Sequence, residues 1–193
     1  MDYKLPKRIE NSNKSTYGRV LNIAGSDYMS GAAYLSSVSA LKIGCGYCFL
    51  CSTARVIDAV GAQTQNIVFL PYSKLLENLM TADVVEIGCG LSQEPIAVEI
   101  FDKVIENIPQ STKLLIDADG LNILSKNPDK FLARNLESVI LTPHPKETAR
   151  LLGVSLEDVL SDVESSAEKI SQKYNSTVVL KTHNFSKWKH LCK

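Results

Sequence analysis

Two rhythms of apolar and polar residues alternate along this chain. Short apolar runs at 18–24, 47–51, 66–70, 82–87, 113–116, 138–141 and 177–181 are bounded by glycine, proline or polar residues, as strands are. Between them lie segments with helical spacing. The segment 31–42 carries small residues along its length, and 54–59 and 73–80 are shorter. In 95–108, Ile96, Ile100, Val104 and Ile108 recur at helical spacing behind Pro95, which suits a first turn. The run 147–152 and the stretch from 155 to 174, opened by Ser155 as a cap, complete the set. Residues 1–17 are polar and mostly irregular. The alternation predicts an α/β fold: a mostly parallel sheet covered by helices on both faces.

The strand ends hold the candidate chemistry. Leu141-Thr142-Pro143-His144-Pro145-Lys146-Glu147 places a histidine between two prolines, which force a rigid, extended bend after a strand. An ordinary strand-to-helix turn that happens to contain a histidine accounts equally well for that heptapeptide alone. Gly88-Cys89-Gly90-Leu91 is a glycine turn of the kind that lets backbone approach a ligand. In Asp117-Ala118-Asp119-Gly120-Leu121-Asn122, Asp119 is placed to cap the next helix, and Asp117 is less easily explained that way. Ser26, Gly90, Asp117, His144 and Lys181 would all lie at one edge of a parallel sheet, where ligands of open α/β sheets collect. Five separate structural accidents explain this less well than one site.

Composition narrows the classes. The 193 residues carry a formal net charge of +0, with 45% hydrophobic and 22% charged residues. That length suits one soluble domain, and the neutral balance gives no electrostatic footprint for nucleic acid or an anionic membrane. No apolar run approaches the roughly 20 residues of a membrane span. The start, Met1-Asp2-Tyr3-Lys4-Leu5-Pro6-Lys7-Arg8, lacks a signal-peptide core. The expected location is the cytoplasm. Cys45, Cys48 and Cys51 have the C-x-x-C-x-x-C spacing of some iron–sulfur proteins. Strand alternation, however, puts Cys48 opposite the other two, and free cysteine behaves as a small hydrophobe. No metal site is expected from them.

Taken in order, these stretches resemble the NAD(P)H-hydrate dehydratase domain, a branch of the ribokinase-like family. The matching runs are Lys14-Ser15-Thr16-Tyr17-Gly18, Ala24-Gly25-Ser26-Asp27 with Gly31-Ala32-Ala33, Gly88-Cys89-Gly90-Leu91, Asp117 to Asn122, Leu141-Thr142-Pro143-His144-Pro145 with Glu147, and Val178-Val179-Leu180-Lys181. The resemblance implies a three-layer α/β/α fold and a metabolite-repair lyase acting on hydrated NADH or NADPH. It implies ADP, or ATP, as phosphoryl donor, with Mg2+ expected alongside, and a homo-oligomer as the common assembly. Carried over by position, Ala32 or Ala33, Gly90, Asp117, Asn122 and His144 would touch the hydrated nucleotide. Lys181 would lie on the adenine-nucleotide side. Lys14 and Tyr17 match without a derived role. Cys89, Lys146 and Thr182 depart from the family pattern, the last two replacing glycines.

The family also carries a G-x-G-D segment beyond the lysine strand, whose amides hold the transferred phosphoryl and whose aspartate is the base. The printed sequence contains none, so residues 1–183 read as a dehydratase domain lacking its last third and its catalytic aspartate, with impaired turnover and reduced solubility. Residues 184–193 match neither the family nor a strand and are consistent with a one-base frameshift. Two other readings remain: a ribokinase-like ATP-dependent kinase for a small hydroxymethyl compound, and a non-catalytic nucleotide-binding pseudoenzyme with a docking tail.

Overall fold

A computed structural model describes residues 7–182, and the tail 184–193 lies outside the described residues. The strands are β1 (Arg19–Ile23), β2 (Tyr47–Ser52), β3 (Val68–Pro71), β4 (Val84–Ile87), β5 (Lys113–Ile116), β6 (Val139–Leu141) and β7 (Thr177–Val178). They form one sheet in the order β3-β2-β1-β4-β5-β6-β7, and every pairing is parallel. The helices are α1 (Ser30–Ile43), α2 (Ala54–Gly61), α3 (Leu75–Leu79), α4 (Pro95–Asn107), α5 (Asp119–Lys126), α6 (Asp129–Leu132), α7 (Pro145–Leu152), α8 (Leu156–Ser161) and α9 (Val163–Tyr174).

Three expectations are refined. The stretch from 155 to 174 is two helices, because Asp162 leaves helical geometry (φ −147) and its carboxylate accepts the Ser165 N–H at 3.0 Å to start α9. The short α6 interrupts the connection between β5 and β6. Regular pairing in β7 covers only Thr177–Val178, although the N–H groups of Val179 and Lys181 still donate to Leu141 and Pro143 carbonyls at 2.8 Å.

The sheet's two faces are covered unequally. On one, Leu21, Ile23, Val85, Ile87, Leu114, Ile116 and Leu141 form a continuous core with Leu79 of α3, Phe101 and Ile105 of α4, Leu124 of α5, Phe131 of α6, Leu151 of α7 and Ile170 of α9. On the other, Leu50 packs with Ala33 of α1 and Val56 and Val60 of α2. Among the described residues that cover reaches only β1–β3. Val84, Glu86, Leu115 and Ile140, on the same face further along, are partly exposed, and Leu115 and Ile140 belong to neither core. Topology explains the asymmetry. The chain steps from β1 to β3 in one direction and from β4 to β7 in the other, so right-handed crossovers put the two sets of helices on opposite faces. The reversal falls between β1 and β4, the place where such sheets open a crevice at the strands' carboxyl ends.

At the opposite, amino-terminal edge, Lys14–Tyr17 form a 3-10 turn just before β1. The Tyr17 hydroxyl accepts the Ile9 N–H at 2.9 Å and lies 2.6 Å from Ser12 Oγ. These family-like residues therefore anchor the start of the fold, away from the strand ends that carry the candidate chemistry. Cys48 and Cys51 are fully buried, and burial pushes each thiol up to about 12. Cys51 joins the larger core, whereas Cys48 sits with Ser37 of α1 on the other face, so the two cannot share a cluster. Among the described residues no helix is long and apolar enough to cross a membrane.

Candidate functional site

At the β1/β4 reversal, a cavity of about 300 Å³ is lined by residues that include Ser26, Asp27, Thr53, Tyr72, Ser92 and Glu94. It sits above the carboxyl ends of β1, β2, β3 and β4. Thr53 Oγ1 donates to Asp27 Oδ1 at 3.0 Å, and the Gly25 N–H donates to the Cys89 carbonyl at 2.9 Å, tying the two central strand ends together. Hydroxyls and two carboxylates on an otherwise apolar wall suit a small polar ring or sugar. Sequence reasoning placed only Ser26 of this group at the edge. Thr53 and Tyr72 directly succeed β2 and β3, so inspecting the first residues after every strand, instead of only the motif-bearing ones, would have found them.

The glycine turn after β4 has a packing role that the sequence did not reveal. A Cβ on Gly88 (φ +127) would run into the Asp117 carbonyl and the Gly120 backbone. A Cβ on Gly90 (φ +64) would lie 2.7 Å from the Ala32 Cβ. Both glycines therefore let β4's exit press against β5's exit and α1. Ala33 is fully buried against Gly25 and offers a ligand no surface, so of the pair Ala32 and Ala33 only Ala32 is available.

Asp117, immediately after β5, is the hub of this edge. Its Oδ1 accepts the Ala118 N–H at 2.8 Å and the Lys181 ammonium at 2.5 Å, and its Oδ2 receives the Cys89 thiol at 3.9 Å. Ala118 holds φ +48, a positive-φ conformation that a non-glycine residue adopts at a cost of about 1–3 kcal/mol. Asp119 was expected to cap α5. Ala118 occupies the cap position instead, and the Asp119 carboxylate accepts the Ser92 N–H at 2.9 Å. Ser92 itself holds φ +70. Strain is thus concentrated in the two loops that shape the edge.

His144 is the N-cap of α7. Its Nδ1 accepts N–H bonds from Lys146 and Glu147 at 3.1 and 3.3 Å, and Glu147 Oε2 accepts the His144 N–H at 2.8 Å. Accepting at Nδ1 places the ring proton on Nε2, which lies 3.4 Å from Glu147 Oε1. The ring keeps one face in solvent, with 44% of the side chain exposed, but both nitrogens already have partners. Asn122 is similarly engaged: its Oδ1 accepts Arg150 of α7 at 2.7 Å.

Two contact chains result. One runs from Ala32 and Gly90 through Cys89 to Asp117 and Lys181. The other runs from Ser92 through Asp119 and Asn122 to Arg150, on the helix that His144 caps. The structure brings Ala32, Gly90, Asp117 and Lys181 together, places Asn122 on the second chain, and connects His144 to that chain only through α7. Arg150 ends that chain on Asn122, and Glu147, three residues after His144, was findable in sequence as the partner of its cap.

Glu86 on β4 has both carboxylate oxygens sealed from solvent; among the described residues the Cys89 thiol and N–H lie nearest, and neither completes a well-formed hydrogen bond to them. Burial pushes its carboxyl up to about 7; the Cys89 thiol is the next influence and pulls it down, with smaller opposing effects from the Asp117 charge and the Cys89 N–H. Burial also raises the Cys89 thiol well above its usual range.

The fold and this edge place the molecule among ribokinase-like α/β proteins. A ribokinase-like superfamily protein from Enterococcus faecalis superposes with a TM-score of 0.84 at 26% identity, over 93% of this chain and 62% of that one. Beyond the fold class, the NAD(P)H-hydrate dehydratase family profile matches residues 20–185, and the chain belongs to that family. An ADP-dependent (S)-NAD(P)H-hydrate dehydratase of Neisseria meningitidis is 33% identical over 177 residues, covering 91% of this chain and 60% of that one. An ADP/ATP-dependent NAD(P)H-hydrate dehydratase of Bacillus subtilis, co-crystallized with ATP/Mg2+, has a TM-score of 0.78 at 27% identity over 92% of this chain and 62% of that one. The chain therefore spans about 60% of the length of these relatives.

Proposed function

We propose that this chain carries the substrate-side part of a nicotinamide-nucleotide repair site, acting on hydrated NADH or NADPH in the cytoplasm with ADP or ATP as phosphoryl donor. The observation that carries the reading is the Asp117–Lys181 pair, which joins the exits of β5 and β7 across β6 on the same sheet edge as the switch-point cavity. The cavity volume is at the lower bound of ligand pockets, about 300 Å³, and suits the nicotinamide half of a dinucleotide better than the whole.

In the reaction, the added hydroxyl takes a phosphoryl group from ADP, leaving AMP. The carbon–oxygen bond then breaks, its electron pair leaves with phosphate, and the neighbouring ring carbon loses a proton to restore the double bond. Phosphate is a far better leaving group than hydroxide. Asp117 supplies an acceptor that orients the substrate hydroxyl, and Lys181 supplies a cation that can turn from Asp117 to neutralise phosphate charge. Lys181 fits a phosphate, being 41% exposed in its side chain. Mg2+ would come with the nucleotide, whose phosphates and water supply most of its coordination, so it needs no cluster of protein ligands here.

The test is titration calorimetry of the full chain with hydrated NADPH and with NADPH, followed by incubation of the hydrate with ADP while NADPH absorbance and AMP are measured. Preference for the hydrate, lost in Asp117→Ala, supports the reading. Equal affinity for hydrate and NADPH, with no NADPH recovered, overturns it.

A further inference from the structure

The glycine turn of this site rests on a carboxyl that the proposed reaction does not use. Glu86 is on a central strand, and its side chain shares a sheet face with Asn22, its register partner on β1. Asn22 Nδ2 donates to Ser36 and Ser37 of α1 at 2.7 and 2.8 Å. Among the described residues no donor reaches Asn22 Oδ1, or either Glu86 oxygen, with hydrogen-bond geometry. Three buried acceptors on neighbouring strands without a well-formed hydrogen bond are costly. One proton on Glu86 changes the count: the carboxyl becomes a donor, and an acceptor without a partner lies on the adjoining strand.

Charge leads to the same state. Cys89 sits between two carboxyls, Glu86 beneath it and Asp117 beside it, and among the described residues the one ammonium paired with either is Lys181, on Asp117. Two ionised carboxylates against one ammonium would leave a buried charge uncompensated. The titratable groups that act on Glu86 are Cys89 from the turn, Asp117 from the end of β5 and Cys48 from β2, while from α1 the neutral hydroxyls of Ser36 and Ser37 bond its register partner Asn22.

We propose that Glu86 is a positioning residue of the site: its uncharged carboxyl, lodged under the Gly88-Cys89-Gly90 turn, keeps the Asp117 carboxylate matched to Lys181 alone. This deepens the repair-site reading where ligand binding is concerned, but the protonation of Glu86 stands without it. Burial of the carboxyl also fixes the sign of its pH dependence. The folded state holds the proton more tightly than the unfolded chain. Its stabilising effect is therefore complete below about 4.5, declines as pH rises from about 4.5 to about 7, and is gone above that.

Infrared spectra of the full chain labelled with carbon-13 glutamate provide the direct test. At pH 6 a protonated-carboxyl band is expected, titrating away near pH 7. Its absence at pH 6 overturns the proposal, with no variant required. Melting curves of the wild type and Glu86→Gln from pH 5 to pH 8 extend it. The glutamine variant keeps a donor at all pH values, so the melting-temperature difference should move in its favour as pH rises; parallel curves overturn the proposal. Affinity for hydrated NADPH should fall above pH 7 in the wild type and stay level in Glu86→Gln. If hydrated NADPH binds at no pH while the infrared band is present, the substrate assignment fails and the Glu86 assignment stands.

Discussion

Leu114 and Leu115 are neighbours on one strand, yet they face two different environments. Leu114 is 1% exposed within a core assembled from six helices, whereas Leu115 is partly exposed on a face that the described helices cover only over β1–β3. Both faces read alike in sequence, as runs of Val, Leu and Ile. The difference shows that apolar character fixes where a strand runs, while the direction of the next crossover decides what covers it. It also shows where the molecule can tolerate polarity. Asn22 and Glu86, polar residues in the middle of central strands, both lie on the face that is less completely covered.

The largest effect should come from breaking this contrast directly. Leu114→Ala is expected to cost about 2–5 kcal/mol in urea unfolding and Leu115→Ala about 1 kcal/mol or less. Equal costs would mean that the partly exposed face is buried in solution. Gly88→Ala comes next. A Cβ there meets backbone on both sides at φ +127, so a loss of about 2 kcal/mol or more is expected, together with lost binding at the strand edge. Recovery of a normal melting curve and normal binding would show that β4's exit can move away from β5.

His144→Ala should cost about 1 kcal/mol through the lost cap, and His144→Asn should recover most of it. If His144→Asn also recovers ligand affinity, the histidine acts only as a cap. If stability returns without affinity, its exposed ring face touches the ligand. The smallest stability change is expected for Lys181→Met, below about 1 kcal/mol, because a pair with a 41% exposed lysine is screened by solvent. Its effect on binding of hydrated NADPH in the presence of ADP should be far larger, which separates a site residue from a structural one.

Part of the site was legible because strand ends are punctuated. Asp117 and Lys181 come after apolar runs in a parallel sheet, so the same rule that finds the strands puts both at one edge, and the structure joins them at 2.5 Å. Thr53 and Tyr72 were missed because neither sits in a motif, although each comes directly after a strand. The role of His144 was undecided in sequence: Pro-His-Pro before a helix serves a cap and a ligand equally well, and only the placement of Nδ1 under two N–H groups shows the cap. Ala32 and Ala33 are adjacent small residues on one helix, and helical rotation alone separates the available one from the buried one.

By itself the sequence determined the alternation of strands and helices, the parallel sheet and the edge where its polar exits meet. These arise from local rules: side-chain period, caps and the punctuation of glycine and proline. Only the tertiary structure decided which glycines are there for packing, which acid spans to a neighbouring loop instead of capping its own helix, and which face of the sheet is covered. Those outcomes depend on contacts between residues far apart in the chain, such as Gly88 with Asp117, Ser92 with Asp119 and Asn22 with Glu86. Strand order and crossover hand set such contacts, and no local pattern encodes either.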